Sequence, residues 1–194
     1  MELSDEELVK LTQQGSRAAY ASLIDRHKTT VYNMAFRVVG KQEDAEEIAQ
    51  DAFVRAFRAL ASFRQDAKFS TWLYRITMNV ALTKARKSRV DVVSIDASLD
   101  EDEDTAPLQI ADTMDNPEEQ FSRKDFQDRV RALISALPPK YSAVLTMYHM
   151  QDLSYEEISE SLELPIGTVK AHLFRARNAL KKLAIGAFDP EELQ

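Results

Sequence analysis

Between residues 152 and 182 the chain changes sign about a short break. Asp152, Glu156, Glu157, Glu160 and Glu163 precede the break with no Lys or Arg among them. Lys170, Arg175, Arg177, Lys181 and Lys182 follow it with no Asp or Glu. The break is Leu164-Pro165-Ile166-Gly167, where Pro and Gly punctuate a turn. Ser154 followed by Glu157 is a capping-box signature, with Leu153 placed as a staple. Ile158 and Leu162 give this first helix an inward face. Past the turn, Val169, Leu173, Ala176, Leu180 and Leu183 recur at alternating spacings of four and three, the stripe of a second helix. A packed helical hairpin needs the stripes but not the charge split. An acidic support helix, a tight turn and a basic helix is the layout of a DNA-binding helix-turn-helix.

At about 100° per residue, the face opposite the stripe collects Ala171, Phe174, Arg175, Asn178, Lys181 and Lys182, flanked by Lys170 and Arg177. His172 falls near the buried edge. A large ring amid a basic, solvent-directed face suits contact with a thymine methyl group or a base edge. The plainer alternative is a solvated face with Phe174 against another domain. Helix pattern, turn and charge together favour DNA.

Elsewhere glycine is scarce, with 4 in 194 residues, and strand-like alternation is nearly absent, so the chain reads as all-α. Ser4 with Glu7 caps a first short helix. Ser16 opens a second, with Tyr20, Leu23, Ile24, His27, Val31, Tyr32 and Ala35 inward. A third runs over about 43–60 on the stripe Ala45, Ile48, Ala49, Ala52, Phe53, Ala56, Phe57 and Leu60, and a fourth over about 70–86. Helices resume near Asp125, stop at Pro138-Pro139, and continue over 140–150 into the helix-turn-helix. The expected organisation is two small helical domains, 1–90 and 126–185, joined by an acidic flexible linker at 91–125, with a tail at 186–194.

Charge follows that division. Residues 1–90 hold 15 basic and 11 acidic residues, 91–125 hold 2 and 12, and 126–194 hold 8 and 9. The overall −7 is thus a property of the linker. Phosphate neutralisation supplies most nonspecific affinity, so such a chain is a weak unaided DNA binder and needs a partner to bring it there. The absence of Cys excludes disulfides and Cys-based zinc sites. His27, His149 and His172 show no ligand spacing. No metal or cofactor is expected. The acidic start and the lack of an apolar run near 20 residues point to a soluble, cytoplasmic chain with no membrane insertion.

The first domain holds two constellations. One is Asp44-Ala-Glu-Glu-Ile-Ala-Gln-Asp-Ala-Phe53, whose helix groups Glu47, Gln50, Asp51, Arg55 and Arg58 opposite the stripe. Periodicity alone makes that an ordinary solvated face. The other, 62–79, sets Phe63, Phe69, Trp72 and Tyr74 among Arg64, Lys68 and Arg75, and Lys84, Arg86, Lys87 and Arg89 follow. Rings that stack on unpaired bases, with cations along the phosphates, are what single-stranded DNA binding uses. Core filling by the same rings is as good a reading on physical grounds.

The motifs D-A-E-E-x-x-Q-D-x-F, then S-F-R…F-S-T-W-L-Y-R-I…N, then L-S-Y-E-E-I…G-T-V-K…R-A-R run through nearly the whole chain in order. In this the chain resembles bacterial sigma factors of the extracytoplasmic-function (ECF) group of the sigma-70 family, which lack the middle domain of larger sigma factors. The resemblance implies a non-enzymatic factor that binds core RNA polymerase, directs it to promoters and assists melting. It assigns Asp44, Glu47, Gln50, Asp51, Arg55 and Arg58 to docking on the clamp coiled coil of the largest polymerase subunit. It makes 63–70 a base-capture loop for the nontemplate strand of the minus-ten element, with Phe63, Arg64, Lys68, Phe69 and Ser70. Asn79 reads or supports that strand, and Trp72 is a pocket wall, a wedge or core. Thr168, Lys170, Ala171, Phe174, Arg175 and Arg177 meet the minus-thirty-five duplex. Ala171-His172 stands where the family often has Ser-Arg, which bears on sequence preference.

The implied partners are core polymerase (clamp coiled coil and the flap of the second-largest subunit), promoter DNA and an anti-sigma factor. In the linker, the carboxylates at 100–104 either mimic phosphates in a basic polymerase channel or keep a tether extended. Two other functions compete. A stand-alone helix-turn-helix regulator needs a receiver of alternating strands and helices, and 1–90 lacks that pattern. A sigma mimic that sequesters an anti-sigma factor calls for the same missing receiver.

Overall fold

A computed structural model describes residues 3–93 and 123–187, and among these every regular element is helical. The linker carboxylates at 100–104 and the tail from 188 lie outside the described residues. No helix among those described is long and apolar enough to cross a membrane.

Local chemistry sets the helix starts. Helix α1 (Asp5–Gln13) opens on a reciprocal capping box. The Ser4 backbone N–H donates to Glu7 Oε2 at 2.8 Å and the Glu7 N–H to Ser4 Oγ at 3.3 Å, satisfying donors the helix leaves orphaned. Helix α2 (Arg17–Val39) begins on Ser16, whose hydroxyl accepts from the Ala19 N–H, and ends on Gly40 at φ +71°. Glycine reaches that left-handed cap without a Cβ penalty. Helix α3 (Gln42–Ala59) tightens into a 3₁₀ turn at Leu60–Ser62. Helix α4 (Phe69–Val93) runs seven residues past the expected end at Arg86. Helix α5 spans Arg123–Ser135, and α6 (Pro139–Met150) starts on Pro139, whose missing N–H costs nothing in a first turn. Helix α7 (Tyr155–Leu162) carries the second capping box, Ser154 with Glu157, and α8 is Ile166–Ala187.

Helices α1–α4 enclose one core of Leu8, Val9, Leu23, Val31, Ala52, Phe53, Ala56, Leu60, Phe69 and Leu73. A second core contains most of the apolar residues buried in α5–α8, including Ile134, Val144, Met147, Ile158, Val169 and Leu173. It also takes in Met34, Ala35 and Val38 of α2, Ala45 and Ile48 of α3, and Met78 and Ala81 of α4. The expected pair of helical units is therefore present, but the two pack against each other. Helix α2 makes this possible. Its 23 residues span about 35 Å at 1.5 Å each, long enough to serve one core with each half. Helix α6 lies between, with seven consecutive buried residues from Tyr141 to Met147, as expected of a helix covered on all sides.

Candidate nucleic-acid interface

The helix-turn-helix is rigidly built. Leu153 and Ile158 are both buried in the shared core, as a staple requires. Helix α7 stops because Glu163 turns left-handed at φ +55°, its N–H capping Ser159 O. The Ser159 hydroxyl then donates to Leu164 O at 2.5 Å. The turn is thus made by Glu163, Leu164 and Pro165, while Ile166 and Gly167, expected in it, already belong to α8. Val169, Leu173 and Ala176 anchor α8 in the core, and Leu180 and Leu183 are half-buried. The opposite face exposes Lys170, Ala171, Phe174, Arg175 and Asn178. Phe174 is 67% exposed, the most exposed large hydrophobic among the described residues. Thr168 is half-buried at the helix start.

Arg177, expected on the flank of that face, is exposed and makes contacts back to α6. Its guanidinium lies 5.4 Å from the Tyr148 ring centroid, and its Nε and Nη2 donate to His149 Nε2 at 3.3 and 3.2 Å. It braces α8 on α6. His149 must be neutral to accept both bonds. Burial and the Arg177 charge both hold its pKa below the usual value. Lys170 lies over the Tyr155 ring at 5.5 Å, and Tyr155 stacks on Tyr148 at 5.1 Å. His172 is half-buried, as the wheel indicated, edge-on to Tyr141 at 5.5 Å.

The aromatic loop sorts its rings. Phe69, expected among the residues that contact the strand, is only 3% exposed and belongs to the α1–α4 core. It packs under Phe63 and Trp72, at 6.2 and 5.8 Å between centroids. Phe63 and Trp72 are half-buried and stack at 4.6 Å and 27°. That pair closes the loop's base, with Trp72 packed against the α1–α4 core. Arg64 and Lys68 project into solvent, with Arg64 3.4 Å from Asp66. Ser70 is half-buried in the first turn of α4. Gln65, between the two cations, holds φ +60°, a left-handed conformation that costs a side-chain-bearing residue energy. Asn79 lies one face along α4, and its Nδ2 donates to Ser161 O in α7 at 3.3 Å. Arg75 approaches Glu163 at 3.8 Å in the same seam.

On α3 the polar face stands clear of the core, with Glu47, Gln50, Arg55 and Arg58 exposed. Asp51 pairs with Arg55 at 2.8 Å. Lys84 of α4 bridges Asp44 at 3.4 Å and Glu47 at 2.7 Å. Beside this face lie Val54 and Phe57, the latter 47% exposed although the stripe placed it inward. Phe57 leans on Tyr20 at 4.9 Å. Tyr20 itself is fixed by its hydroxyl, which donates to Phe53 O at 2.5 Å, and burial pushes its pKa up to about 12.

Two family models match in chain order, sigma-70 region 2 over residues 23–90 and sigma-70 region 4 over 127–180. The ECF RNA polymerase sigma factor SigW of Bacillus subtilis is 36% identical over 183 residues, covering 94% of this chain and 97% of its own. The chain belongs to the ECF sigma factors of the sigma-70 family. The RNA polymerase sigma-H factor of Pseudomonas aeruginosa is 34% identical, with 92% of each chain covered. The ECF sigma-E factor of Escherichia coli K12 is also 34% identical, over 92% of this chain and 93% of its own. Two solved structures share the fold at 22% identity. One is CnrH in complex with the cytosolic domain of CnrY, at a TM-score of 0.61 with 92% and 96% covered. The other is RpoE in complex with the anti-sigma factor NepR from Bartonella quintana, at 0.60 with 84% and 95% covered.

In this sigma factor, sequence reasoning missed Val54, Phe57 and Gln65. Phe57 reads as ordinary core in the α3 stripe, and Val54 falls off that stripe. No local signal marks Gln65, a left-handed position filled by neither Gly nor Asn.

Proposed function

We propose that the chain binds core RNA polymerase through α3, selects promoters through α8 and the 63–70 loop, and assists melting of the minus-ten element. The observation that carries this is Phe174, an aromatic ring largely in solvent between Lys170 and Arg175 on an anchored second helix. Phosphate contacts by the cations position such a helix in the major groove, and the ring adds apolar readout of thymine methyl groups. The loop supports the melting role. Its floor is Phe63 stacked on Trp72, and its exposed rim carries Arg64 and Lys68. A base leaving the duplex loses a few kcal/mol of stacking and pairing, which a fitted pocket returns only for the right base.

Docking on the clamp coiled coil uses Glu47, Gln50, Asp51, Arg55 and Arg58, with Asp44 behind them. Val54 and Phe57 form the apolar patch such an interface requires at its centre. Region 4 meets the flap of the second-largest subunit. The functional boundaries are 1–90 and 126–185, and the site of action is the cytoplasm, with the polymerase. No covalent chemistry is asked of this chain. An anti-sigma partner is supported by its structural neighbour RpoE, which was solved with one. The decisive experiment is run-off transcription with core polymerase on a genomic library, followed by sequencing of the starts. Starts clustered behind a common two-element promoter are expected, and no promoter-specific transcript would refute the reading.

A further inference from the structure

The region 2 family model begins at residue 23, so α1 lies outside it. Yet α1 is tied to both ends of the aromatic loop. At its start, Asp5 Oδ2 is 2.8 Å from His27 Nε2, and the buried His27 ring lies 5.5 Å from Phe69. At its end, Gln13 Nε2 donates to Leu60 O at 2.9 Å and to Phe63 O at 3.0 Å. Both amide hydrogens are therefore committed. The two carbonyls bracket the 3₁₀ turn, which is otherwise closed by the Phe63 N–H donating to Leu60 O at 3.1 Å. The Leu60 carbonyl is thus shared between the Phe63 N–H and Gln13, and the Phe63 carbonyl lies just past the end of the 3₁₀ turn.

The orientation of the Phe63 carbonyl sets the direction in which the chain enters residues 64–68. Two residues further on, Gln65 is held at φ +60°. A left-handed side-chain-bearing residue persists only where its surroundings over-determine it. The Gln13 clamp and the Phe63–Trp72 stack supply that constraint on the entry side.

We infer that Gln13 is a positioning residue for strand capture, acting through the Phe63 peptide to hold the loop in its base-receiving shape. Helix α1 is then a working part of the melting apparatus. The inference rests on the proposed role of the 63–70 loop. Glutamine suits the task because one nitrogen donates twice. Glutamate in its place has no donor and sets a charge against two carbonyl oxygens.

The test uses the full chain with core polymerase on a promoter recovered by run-off mapping, both as duplex and pre-melted over the minus-ten element. Loss of two hydrogen bonds predicts that Gln13→Glu slows open-complex formation on the duplex by about tenfold. The pre-melted template should be served as well as by wild type, and capture of core polymerase should not change. Gln13→Lys, whose ammonium donates to the same carbonyls, should restore most of the duplex rate. In the free chain, the emission of Trp72, the single tryptophan, should shift in Gln13→Glu while helical content stays constant. Equal losses on both templates, or none on either, would overturn the inference. The underlying reading has its own control, which is wild-type rates across single-base replacements in the nontemplate minus-ten strand. If wild type does not discriminate among them, the loop reading fails. If it does and Gln13→Glu matches it everywhere, only the role of Gln13 fails.

Discussion

Glu163 ends the support helix in the left-handed region at φ +55°, a conformation costing an L-residue roughly 1–2 kcal/mol and glycine nothing. Its exposed carboxylate returns little, since Arg75 is 3.8 Å away and both side chains are largely in solvent. Allowing for the greater freedom of glycine in the unfolded chain, Glu163→Gly should raise stability by about 0.5–1 kcal/mol, read from urea denaturation. His172 and His149 make the opposite kind of contribution. Burial lowers the pKa of each below the ordinary 6.5, assisted at His172 by Lys140 and Arg175 and at His149 by Arg177. Their unfolded forms take up protons more readily than their folded forms. Stability is therefore complete above about pH 6.5 and declines as pH falls through the unfolded value toward the folded ones. His172→Phe, which keeps a ring against Tyr141, should flatten part of the fall in melting temperature between about pH 7.5 and pH 5.5.

Helices α3 and α8 each present a polar face with an aromatic beside or within it, and each can be disabled separately. Phe174→Ala should weaken discrimination among upstream elements by about tenfold, the worth of one good base contact, and leave polymerase capture intact. Asp51→Arg should do the reverse. It replaces the Asp51–Arg55 pair with adjacent cations in the middle of the docking face, and should reduce capture measured by co-purification with core. Equal losses in both assays would indicate misfolding. Much of this was legible beforehand because the signals are local. Both capping boxes lie within four residues of sequence, and the α8 stripe is a simple period. What depends on neighbours was not legible. Phe57 continues the α3 stripe, yet even with the Tyr20 ring of α2 against it, it stays 47% exposed. Phe69 and Trp72 look alike as aromatics at the start of α4, and only the packing around them buries one and leaves the other half-exposed. Arg177 has the spacing of a flanking cation, and its contacts with Tyr148 and His149, distant in sequence, leave no mark in that spacing.

The whole molecule is governed by the seam between its two helical units. Independent domains on a tether would each unfold alone. The shared core argues otherwise, since Ile134 of α5 is buried in the same cluster as Met34, Val38 and Met78. The seam is also imperfect. Arg37 Nε is buried without a partner, and its pKa is lowered first by burial and then by Arg131. Thr146 Oγ1 is buried without one as well. Unsatisfied groups of this kind weaken an interface by about 1–3 kcal/mol each, so the seam owes its strength chiefly to apolar burial, with the Asn79–Ser161 hydrogen bond beside it. Trp72 offers a clean test, because it lies in the N-terminal unit and is the only tryptophan. Ile134→Ala opens a cavity in the C-terminal unit worth about 2–5 kcal/mol. If the cores are coupled, the urea midpoint read by Trp72 fluorescence must fall with the midpoint read by far-ultraviolet circular dichroism, in one transition. If Trp72 keeps its wild-type midpoint while helical signal is lost earlier, the units are energetically separate and the seam contributes no stability.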